Sequence, residues 1–374
     1  MLRFVDRMAT VTTRNLILND KVRAFSSSKV KSLVENHFDL NFRIHGPTGE
    51  EVTKGLDLKD KTCLITGANS GVGLEMTKCL NLCGCTVLMA CRNTYAASVV
   101  AKNTCLKPDS LRLYELNLAS LRSVRKCSDD LLNKEKKIDI VILNAGIFGL
   151  PWTQTVDKLE ITFQVNYLSQ YYLLMNIEDI LADNARVVII SSESHRYVTW
   201  PFNEILTPTE ETLSLPENKY SSIKAYNISK LCGILAMHNL GYRWLNTKKT
   251  VISAHPGSFV KTRLCRNWWL YEAIYTGMKP FTKTIAQAAS TPLYCATSSD
   301  LNGLSAIYYK NCKRCQESDL ASNLQLSFRI NDLTKDIIRD RVTMSELPVS
   351  LSDTRQKHDV EHNIEDSLLT NYSN

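Results

Sequence analysis

The sequence predicts an α/β protein in which a doubly wound parallel sheet forms a single domain. Two observations lead to this prediction: short apolar segments alternate with helical patterns from about residue 61 onward, and these segments are apolar along nearly their whole length. Alternation of strands and helices is the pattern of βαβ units. Strands that are apolar on both faces are covered by helices on both sides of the sheet. The expected architecture is therefore of the Rossmann type.

The expected elements follow the chain in regular alternation. Each predicted strand is a short β-branched or apolar run, and each predicted helix is a longer stretch with helical periodicity. The predicted strands cover residues 63–66, 86–90, 111–118, 138–143, 187–190 and 251–254. The predicted helices run from the first glycine turn through residue 80, then over 94–104, 120–134, 155–182, a segment around Tyr226, and 321–342.

Outside the α/β pattern the chain has an extension at each end. The predicted parts are an N-terminal extension at 1–56, the α/β domain at 57–316, a helical extension at 317–346 and a disordered, mildly acidic tail at 347–374. The tail is assigned to disorder because a polar segment cannot bury enough apolar surface to offset the entropy lost on ordering.

The first 31 residues are rich in basic side chains, with seven Lys and Arg against two Asp. The segment Arg23–Ser27 resembles the processing region of a mitochondrial presequence. An ordinary solvated extension explains the same composition. We expect a cytoplasmic protein, with the mitochondrion as the close alternative.

The composition argues against several classes of protein. A net charge of +7 is small for 374 residues and forms no basic, aromatic-rich patch, so nucleic-acid binding is not expected. No apolar run reaches the roughly 18–20 residues that a membrane span needs. The twelve cysteines include one isolated C-x-x-C, from Cys312 to Cys315. Free thiols in a reducing compartment are therefore expected, and a metal site is not.

A glycine-rich turn directly follows the first predicted strand and opens a helix, which is the setting in which such a turn binds a dinucleotide. Glycines permit the tight turn and let the backbone approach a pyrophosphate, whose negative charge is favoured at a helix N-terminus. The predicted cofactor-binding residues of this turn are Thr66, Gly67, Ala68, Asn69, Ser70, Gly71, Val72 and Gly73.

The residue after the second strand indicates which dinucleotide is bound. A site for NAD(H) usually places an acidic side chain there, against the ribose 2′-hydroxyl. This chain has Arg92 at that point and no acid in the segment Ala90–Asn93. Because guanidinium groups bind phosphate well, NADP(H) is the expected cofactor and NAD(H) is less favoured.

Three further residues point to redox chemistry. Tyr226 and Lys230 are four positions apart and would share one face of a helix, and Ser192 ends an apolar strand. A free tyrosine has a pKa of about 10, and a neighbouring ammonium group favours its phenolate. Tyr226 is therefore predicted to be the general acid/base, with Lys230 beside it and Ser192 on the substrate oxygen. His195 lacks an acid at triad spacing, so a solvated or capping role is expected.

These residues resemble the short-chain dehydrogenases/reductases, with matching motifs in order from about Lys61 to Cys315. The segments around Asn166 and Trp268 narrow the resemblance to the branch that includes the retinol dehydrogenases and oxidoreductases with WW modules. The resemblance implies that Asn166 acts with the catalytic residues, anchoring a water that relays protons to Lys230. It also implies cofactor contacts by Asn117, Asn144, Ala145, Gly146, Pro256 and Gly257, besides Tyr226 and Lys230.

Three features depart from the pattern of these relatives. Asn117 stands where the family usually has an Asp that touches the adenine, and Leu143 replaces the first Asn of an Asn-Asn-Ala-Gly motif. Either change could weaken cofactor binding, and neither removes a reacting group. The first tryptophan is Trp152, so WW modules are not expected, and neither is the binding of WW-type proline-rich partners.

The segment after Gly257 has the spacing of a helix with a wide apolar face. In the family this segment covers the substrate pocket, so Trp268 and Tyr271 are predicted, with Ser192, to contact an apolar steroid-, retinoid- or lipid-like alcohol or carbonyl. A core helix or a homodimer contact would show the same pattern. The expected function is NADP(H)-dependent oxidation and reduction of such a substrate. The alternative is a nucleotide-binding scaffold that acts through protein partners.

Overall fold

The computed structural model describes residues 46–104, 107–257 and 283–342, which include one sheet of eight strands. The strands are β1 (Thr62–Thr66), β2 (Thr86–Cys91), β3 (Leu111–Glu115), β4 (Ile138–Leu143), β5 (Leu181–Ile190), β6 (Thr250–His255), β7 (Ile307–Lys310) and β8 (Lys313–Cys315). Their order is β3-β2-β1-β4-β5-β6-β7-β8; the first seven strands pair in parallel, and β8 is antiparallel to β7.

The sheet is doubly wound, as the sequence predicts. The chain moves outward from β1 to β3 and then returns to place β4 on the other side of β1. In open sheets of this kind, ligands bind beyond the carboxyl ends of the strands, where the order reverses. Thr66 ends β1 and Leu143 ends β4 at this point, so the predicted cofactor turn lies at the expected edge of the sheet.

Helices cover both faces of the sheet. Leu64 of β1 belongs to one hydrophobic core, and its neighbours Cys63 and Ile65 belong to the other, as the alternation of side chains along a strand requires. The helices are α1 (Gly49–Thr53), α2 (Gly71–Leu82), α3 (Thr94–Thr104), α4 (Leu121–Lys134), α5 (Ile161–Phe163, a π-helical turn at Gln164–Leu168, then Ser169–Asn176), α6 (Phe202–Leu206), α7 (Glu210–Leu213), α8 (Ser222–Arg243), α9 (Ile285–Thr297) and α10 (Leu324–Arg339).

The helix predicted at 155–182 is shorter in the structure. Glu160 caps α5 by accepting hydrogen bonds from the amides of Thr162 and Phe163, at 2.8 Å each, so the helix begins one residue later. At the other end, Leu181 already pairs with Ile138 of β4. Helical periodicity runs through both limits because neither a cap nor a pairing with a distant strand changes the local apolar spacing.

The helix α1 lies within the predicted N-terminal extension and packs on the α/β layers. Gly49 lies so close to α9 that a Cβ there would come within 2.9 Å of Leu293 Cδ1 and 3.2 Å of Cys79 Sγ. The described residues from Pro47 onward belong to one compact unit, which contains this helix. The α/β unit therefore takes in residues on the N-terminal side of 57.

The C-terminal helix α10 packs across α5 and α8. Tyr171 on α5 donates to Asn331 Oδ1 at 2.7 Å, and Tyr167 is 2.9 Å from Thr334 Oγ1. Ser327 donates to the carbonyl of Leu235 on α8 at 2.9 Å. The helical extension is thus tied by buried hydrogen bonds to the helix that carries Tyr226.

Several other features of the described residues bear on function. None of their helices combines the length and apolar character that crossing a bilayer demands. Within the same ranges, no cluster of His, Cys, Asp and Glu has the arrangement of a metal site. The ten cysteines in these ranges are free thiols.

Candidate active site

The glycine turn between β1 and α2 has the backbone geometry that its sequence predicts. Gly67 and Gly71 have φ of +67° and +54°, left-handed values that favour glycine. Gly73 packs against the turn itself, since a Cβ there would lie 2.3 Å from Gly67 O and 2.6 Å from Asn144 Nδ2. A side chain at Gly73 would therefore push α2 away from the turn.

The N-terminus of α2 suits an anionic group. Ser70 is its N-cap, and within the described residues the Ser70 side chain makes no capping hydrogen bond. The first amides of a helix lack intrahelical acceptors and carry partial positive charge. The backbone donors of residues 67–73 therefore fit the pyrophosphate of a dinucleotide, and these residues would hold it.

Thr66 is fully buried, and its hydroxyl group is engaged by the protein. The hydroxyl donates to Gln170 Oε1 at 2.6 Å and accepts from the amides of Asn144 and Ala145, at 2.9 and 3.0 Å. Gln170 Nε2 in turn donates to the carbonyls of Ala145 and Asn166, at 3.0 and 2.9 Å. Thr66 thus places Asn144 and Ala145 beside the glycine turn, and a direct contact of Thr66 with the cofactor stays a prediction.

Arg92 and Asn117 follow β2 and β3 at the carboxyl edge of the sheet. Arg92 is exposed and comes directly after the buried Cys91, whose carbonyl accepts from the amide of Leu116 at 3.0 Å. Asn117 Oδ1 accepts from the amide of Ala119 at 3.2 Å, so this side chain stabilises its own loop. The end of β2 is where folds of this type read the ribose of a dinucleotide, and the group there is a guanidinium.

Lys230 is buried on α8 next to Tyr226. Its Nζ donates to the carbonyl of Ile190, at the end of β5, at 2.8 Å and lies 5.5 Å from the centroid of the Tyr226 ring. Burial lowers the pKa of Lys230 from 10.5 to about 8. The side chain is therefore mostly an ammonium at neutral pH. A Cβ on Gly146 would lie 3.8 Å from this Nζ, so the loop after β4 borders the same group.

Asn166 joins the Tyr226 helix to the loop after β4. Its amide group donates to Ile147 O and Ser229 Oγ, at 3.0 and 3.1 Å, and its Oδ1 accepts from the amide of Ile147 at 2.8 Å. Ser229 donates to the carbonyl of Tyr226 at 2.8 Å. Asn166 lies on the π-helical turn of α5, and such turns are frequent at functional sites. The predicted water relay from Asn166 stays a prediction.

Ser191 and Ser192 connect β5 to the same helix. Ser191 donates to the carbonyl of Lys230 at 2.9 Å, which fixes the end of the strand against α8. Ser192 caps the 3₁₀ turn Glu193–Tyr197, and its Oγ accepts from the amide of Ser194 at 3.2 Å. Since a hydroxyl group that accepts this bond keeps its own O–H as a donor, Ser192 can still donate to a substrate oxygen.

Besides the glycine turn and the Tyr226 helix, the end of β6 is the third region that contributes predicted site residues. Gly257 has φ of +126°, and a Cβ there would lie 2.4 Å from Lys283 Cδ, so the chain after Pro256 turns in a way that requires glycine. The predicted substrate contacts Trp268 and Tyr271 lie outside the described residues. The structure therefore brings together Asn166, Tyr226 and Lys230. Ser192 lies two residues after the strand carbonyl that binds Lys230, and the cofactor turn lies at the adjoining strand ends.

Sequence reasoning missed three residues of this arrangement. Phe148 packs edge-on against Tyr226, with ring centroids 4.9 Å apart and planes at 71°. Gln170 and Ser229 join segments that are far apart in sequence. Gln170 could have been suspected because it lies one helical turn after Asn166, on the same face. Nothing local marks Phe148 or Ser229. Of the two roles expected for His195, the solvated one was wrong, because the side chain is fully buried. Its Nε2 instead accepts from the backbone amide of Ser318 at 3.1 Å, a contact of the capping kind.

Comparisons with known proteins indicate the family of this chain. A family model described as short chain dehydrogenase matches residues 61–201. The WW domain-containing oxidoreductase of Drosophila melanogaster is 40% identical over 299 residues, which cover 79% of this chain and 72% of that relative. Retinol dehydrogenase 12 of Mus musculus is 31% identical over 296 residues, or 78% of this chain and 90% of that one.

The fold is shared with solved structures as well. The angucycline C-6 ketoreductase LanV, solved with bound NADP, matches with a TM-score of 0.54 and 18% identity, over 68% of this chain and 95% of that chain. At this identity the match supports the fold alone. The ordered motifs, the sheet topology and the relatives above 30% identity agree, and the resemblance seen in the sequence is confirmed. The chain belongs to the short-chain dehydrogenase/reductase family of oxidoreductases.

Proposed function

We propose that the protein is an NADP(H)-dependent oxidoreductase that interconverts an alcohol and a carbonyl on an apolar, steroid-, retinoid- or lipid-like substrate. The observation that carries the proposal is the position of Lys230. Its buried ammonium lies 5.5 Å from the Tyr226 ring centroid and is hydrogen-bonded to the end of β5, two residues before Ser192. This contact supports a site in which the Tyr226 phenol, the Lys230 ammonium and the Ser192 hydroxyl act on one reacting oxygen.

In the proposed reaction, side chains of this protein transfer the proton and orient the reacting oxygen. When bound, the nicotinamide supplies or accepts the hydride. In reduction, Tyr226 donates its phenolic proton to the carbonyl oxygen, and Ser192 orients that oxygen by donating to it. In oxidation, the phenolate of Tyr226 takes the proton of the alcohol. Lys230 favours the phenolate through its positive charge, which persists at neutral pH because its pKa is about 8.

The preference for NADP(H) rests on the end of β2. Arg92 is exposed at the position where the ribose is read, and no acidic side chain lies between Ala90 and Asn93. A guanidinium group pairs with a 2′-phosphate, whereas an NAD(H) site needs a carboxylate for the 2′-hydroxyl.

The preference for an apolar substrate rests on Phe148 and on the relatives. The Phe148 ring lies edge-on to Tyr226, so one wall beside the reacting phenol is aromatic. Mouse retinol dehydrogenase 12, which is 31% identical, is named for a retinoid alcohol. Both features favour a carbonyl or alcohol carried on a hydrocarbon framework.

The test is hydride turnover with NADPH over a panel of apolar carbonyls, for the wild type and Tyr226→Phe. We expect a fall in kcat of about 10²–10⁴-fold, the usual contribution of a general acid. The affinity for NADPH should be unchanged, since the ring remains. Tyr242→Phe, which changes a half-exposed tyrosine on the same helix, is the matched control and should have the wild-type rate. Equal rates for wild type and Tyr226→Phe would refute the proposal, and NADPH binding with no turnover would favour the scaffold alternative.

The localisation and the oligomeric state of the protein are also proposals. We expect a cytoplasmic protein, with the mitochondrion as the alternative, and N-terminal sequencing of the native protein distinguishes the two. A homodimer contact is the alternative role for the apolar segment after Gly257, and light scattering of the purified full chain tests it.

A further inference from the structure

His195 follows Ser192 on the 3₁₀ turn and is fully buried. Its Nδ1 lies 2.6 Å from the carbonyl oxygen of Ser192, and its Nε2 accepts a hydrogen bond from the amide of Ser318 at 3.1 Å. The imidazole therefore bridges Ser192 and Ser318, which precedes α10 in the chain.

These two contacts determine which tautomer is present. A backbone amide can only donate, so Nε2 must carry a lone pair and no proton. In a neutral imidazole the proton is then on Nδ1, where it donates to the carbonyl oxygen, which can only accept. Burial disfavours the charged form and lowers the pKa of His195, in agreement with a neutral ring.

The ring is also fixed by the strand beside it. Tyr308 on β7 packs edge-on against His195, with centroids 5.2 Å apart and planes at 68°. The Tyr308 hydroxyl donates to Glu193 Oε1 at 2.7 Å, and Lys310 donates to Glu193 Oε2 at 3.0 Å. The two residues that flank Ser194 on this turn, Glu193 and His195, are therefore both held against β7.

We propose that His195, as the Nδ1–H tautomer, is a positioning residue that fixes the backbone of Ser192, and that the amide of Ser318 fixes His195 in turn. The inference rests on the proposed function, in which Ser192 orients the substrate oxygen. In this arrangement the amide of Ser318 holds the imidazole in the tautomer that donates to Ser192. His195 takes no part in the proton transfer itself.

The first test is the tautomer in the wild-type protein. Selective ¹⁵N labelling of the seven histidines, with His195 assigned by its absence in a variant, distinguishes protonated from unprotonated ring nitrogens. We expect a proton on Nδ1 and none on Nε2 at pH 7.5. A proton on Nε2, or fast exchange between the tautomers, would overturn the proposal. This result does not depend on turnover.

The second test separates the two hydrogen bonds. In His195→Asn the amide nitrogen takes the place of Nδ1 and can still donate to Ser192, whereas in His195→Gln the amide oxygen takes the place of Nε2 and can still accept from Ser318. We expect kcat to fall about tenfold or more in the Gln variant and to stay within about threefold in the Asn variant, as loss of one buried hydrogen bond implies. The affinity for NADPH should be unchanged in both.

Hydrogen exchange at the Ser318 amide should show the reverse pattern, slow in the Gln variant and fast in the Asn variant. Equal loss of kcat in both variants, or no loss in either, would overturn the positioning role. If Tyr226→Phe abolishes turnover while His195→Gln leaves it intact, the inference alone fails. If the wild type shows no turnover, the proposed function fails, and the tautomer and exchange measurements still decide the hydrogen bonds.

Discussion

The two sides of the site hold their ligands by different means. Beside β1, the glycine turn and the start of α2 present backbone groups, and what matters there is the absence of side chains at Gly67 and Gly73. Beside β5, the placement of Tyr226 and Lys230 depends on side-chain hydrogen bonds from Asn166 and Ser229. The first is a short continuous segment, whereas the second is assembled from segments far apart in the chain.

This difference determines how substitutions on each side should affect ligand binding and stability. On the cofactor side, backbone atoms lie against Gly67 and Gly73, so an added Cβ could be fitted only by moving the main chain. On the catalytic side, loss of one hydrogen bond leaves a buried group unpaired but keeps the backbone path. Changes at the cofactor side should therefore affect binding and stability together, and changes at the catalytic side should separate them.

The largest effect is expected from Gly73→Ala. The new Cβ would lie 2.3 Å from Gly67 O, so α2 must move away from the turn. We expect about 3 kcal/mol of lost unfolding free energy, the scale of overpacking at a rigid site, and NADPH affinity weakened by more than about tenfold. Urea unfolding and fluorescence titration measure the two.

Gly233→Ala is the matched control for this change. It lies within α8, where a Cβ would meet only Ile189 Cγ2, at 3.3 Å, and alanine favours a helix interior. This variant should lose less than about 1 kcal/mol. A stable, NADPH-binding Gly73→Ala protein would show that the turn is not rigid.

A smaller loss is expected for Gln170→Leu, which acts on the junction between the two sides. Gln170 accepts from Thr66 and donates to Ala145 and Asn166, so the substitution leaves buried polar groups short of partners. We expect about 2 kcal/mol of lost unfolding free energy, measured by urea. Ser128→Ala, which removes a buried hydroxyl bonded within α4, should lose less than about 1 kcal/mol. Equal losses in the two variants would remove the special role of Gln170.

Acid should lower the free energy of unfolding through two buried histidines, His195 and His255. Burial lowers the pKa of His255 from 6.5 to about 3, and that of His195 in the same direction. Below pH 6.5 the unfolded chain binds protons that the folded chain does not. The stability that these histidines contribute is therefore constant above pH 6.5 and is lost as the pH drops toward the native value, by up to about 1.4 kcal/mol per pH unit for each histidine.

Chemical unfolding from pH 7.5 to 5.5 measures this slope. His255→Gln should reduce it, because glutamine does not titrate. An unchanged slope in that variant would assign the acid sensitivity elsewhere.

The smallest effect is expected at Arg92, on the exposed end of the cofactor side. Arg92→Ala should weaken NADPH about tenfold and leave NADH unchanged, since one charge-assisted pairing with the 2′-phosphate is lost. The exposed Arg122 provides the control, and Arg122→Ala should leave both affinities as they are. Equal weakening for both cofactors would contradict the proposed role of Arg92.

Much of this protein can be predicted from local pattern. The glycine turn can be recognised because the strand, the turn and the start of the helix are contiguous in sequence. Tyr226 and Lys230 can be placed on one helix face because they are four residues apart. The apolar strands predict the doubly wound sheet in the same way. The limits of α5 could not be predicted, since the Glu160 cap and the pairing of Leu181 with β4 leave the apolar spacing unchanged.

The sequence by itself determined the fold, and it predicted which groups carry the chemistry. Only the tertiary structure decided how those groups are held. Gln170 reaches Thr66 across 104 positions, and His195 meets the amide of Ser318 across 123. Such partners have no local signal, because a hydrogen bond between distant segments depends on how the layers pack and not on the spacing of residues along the chain.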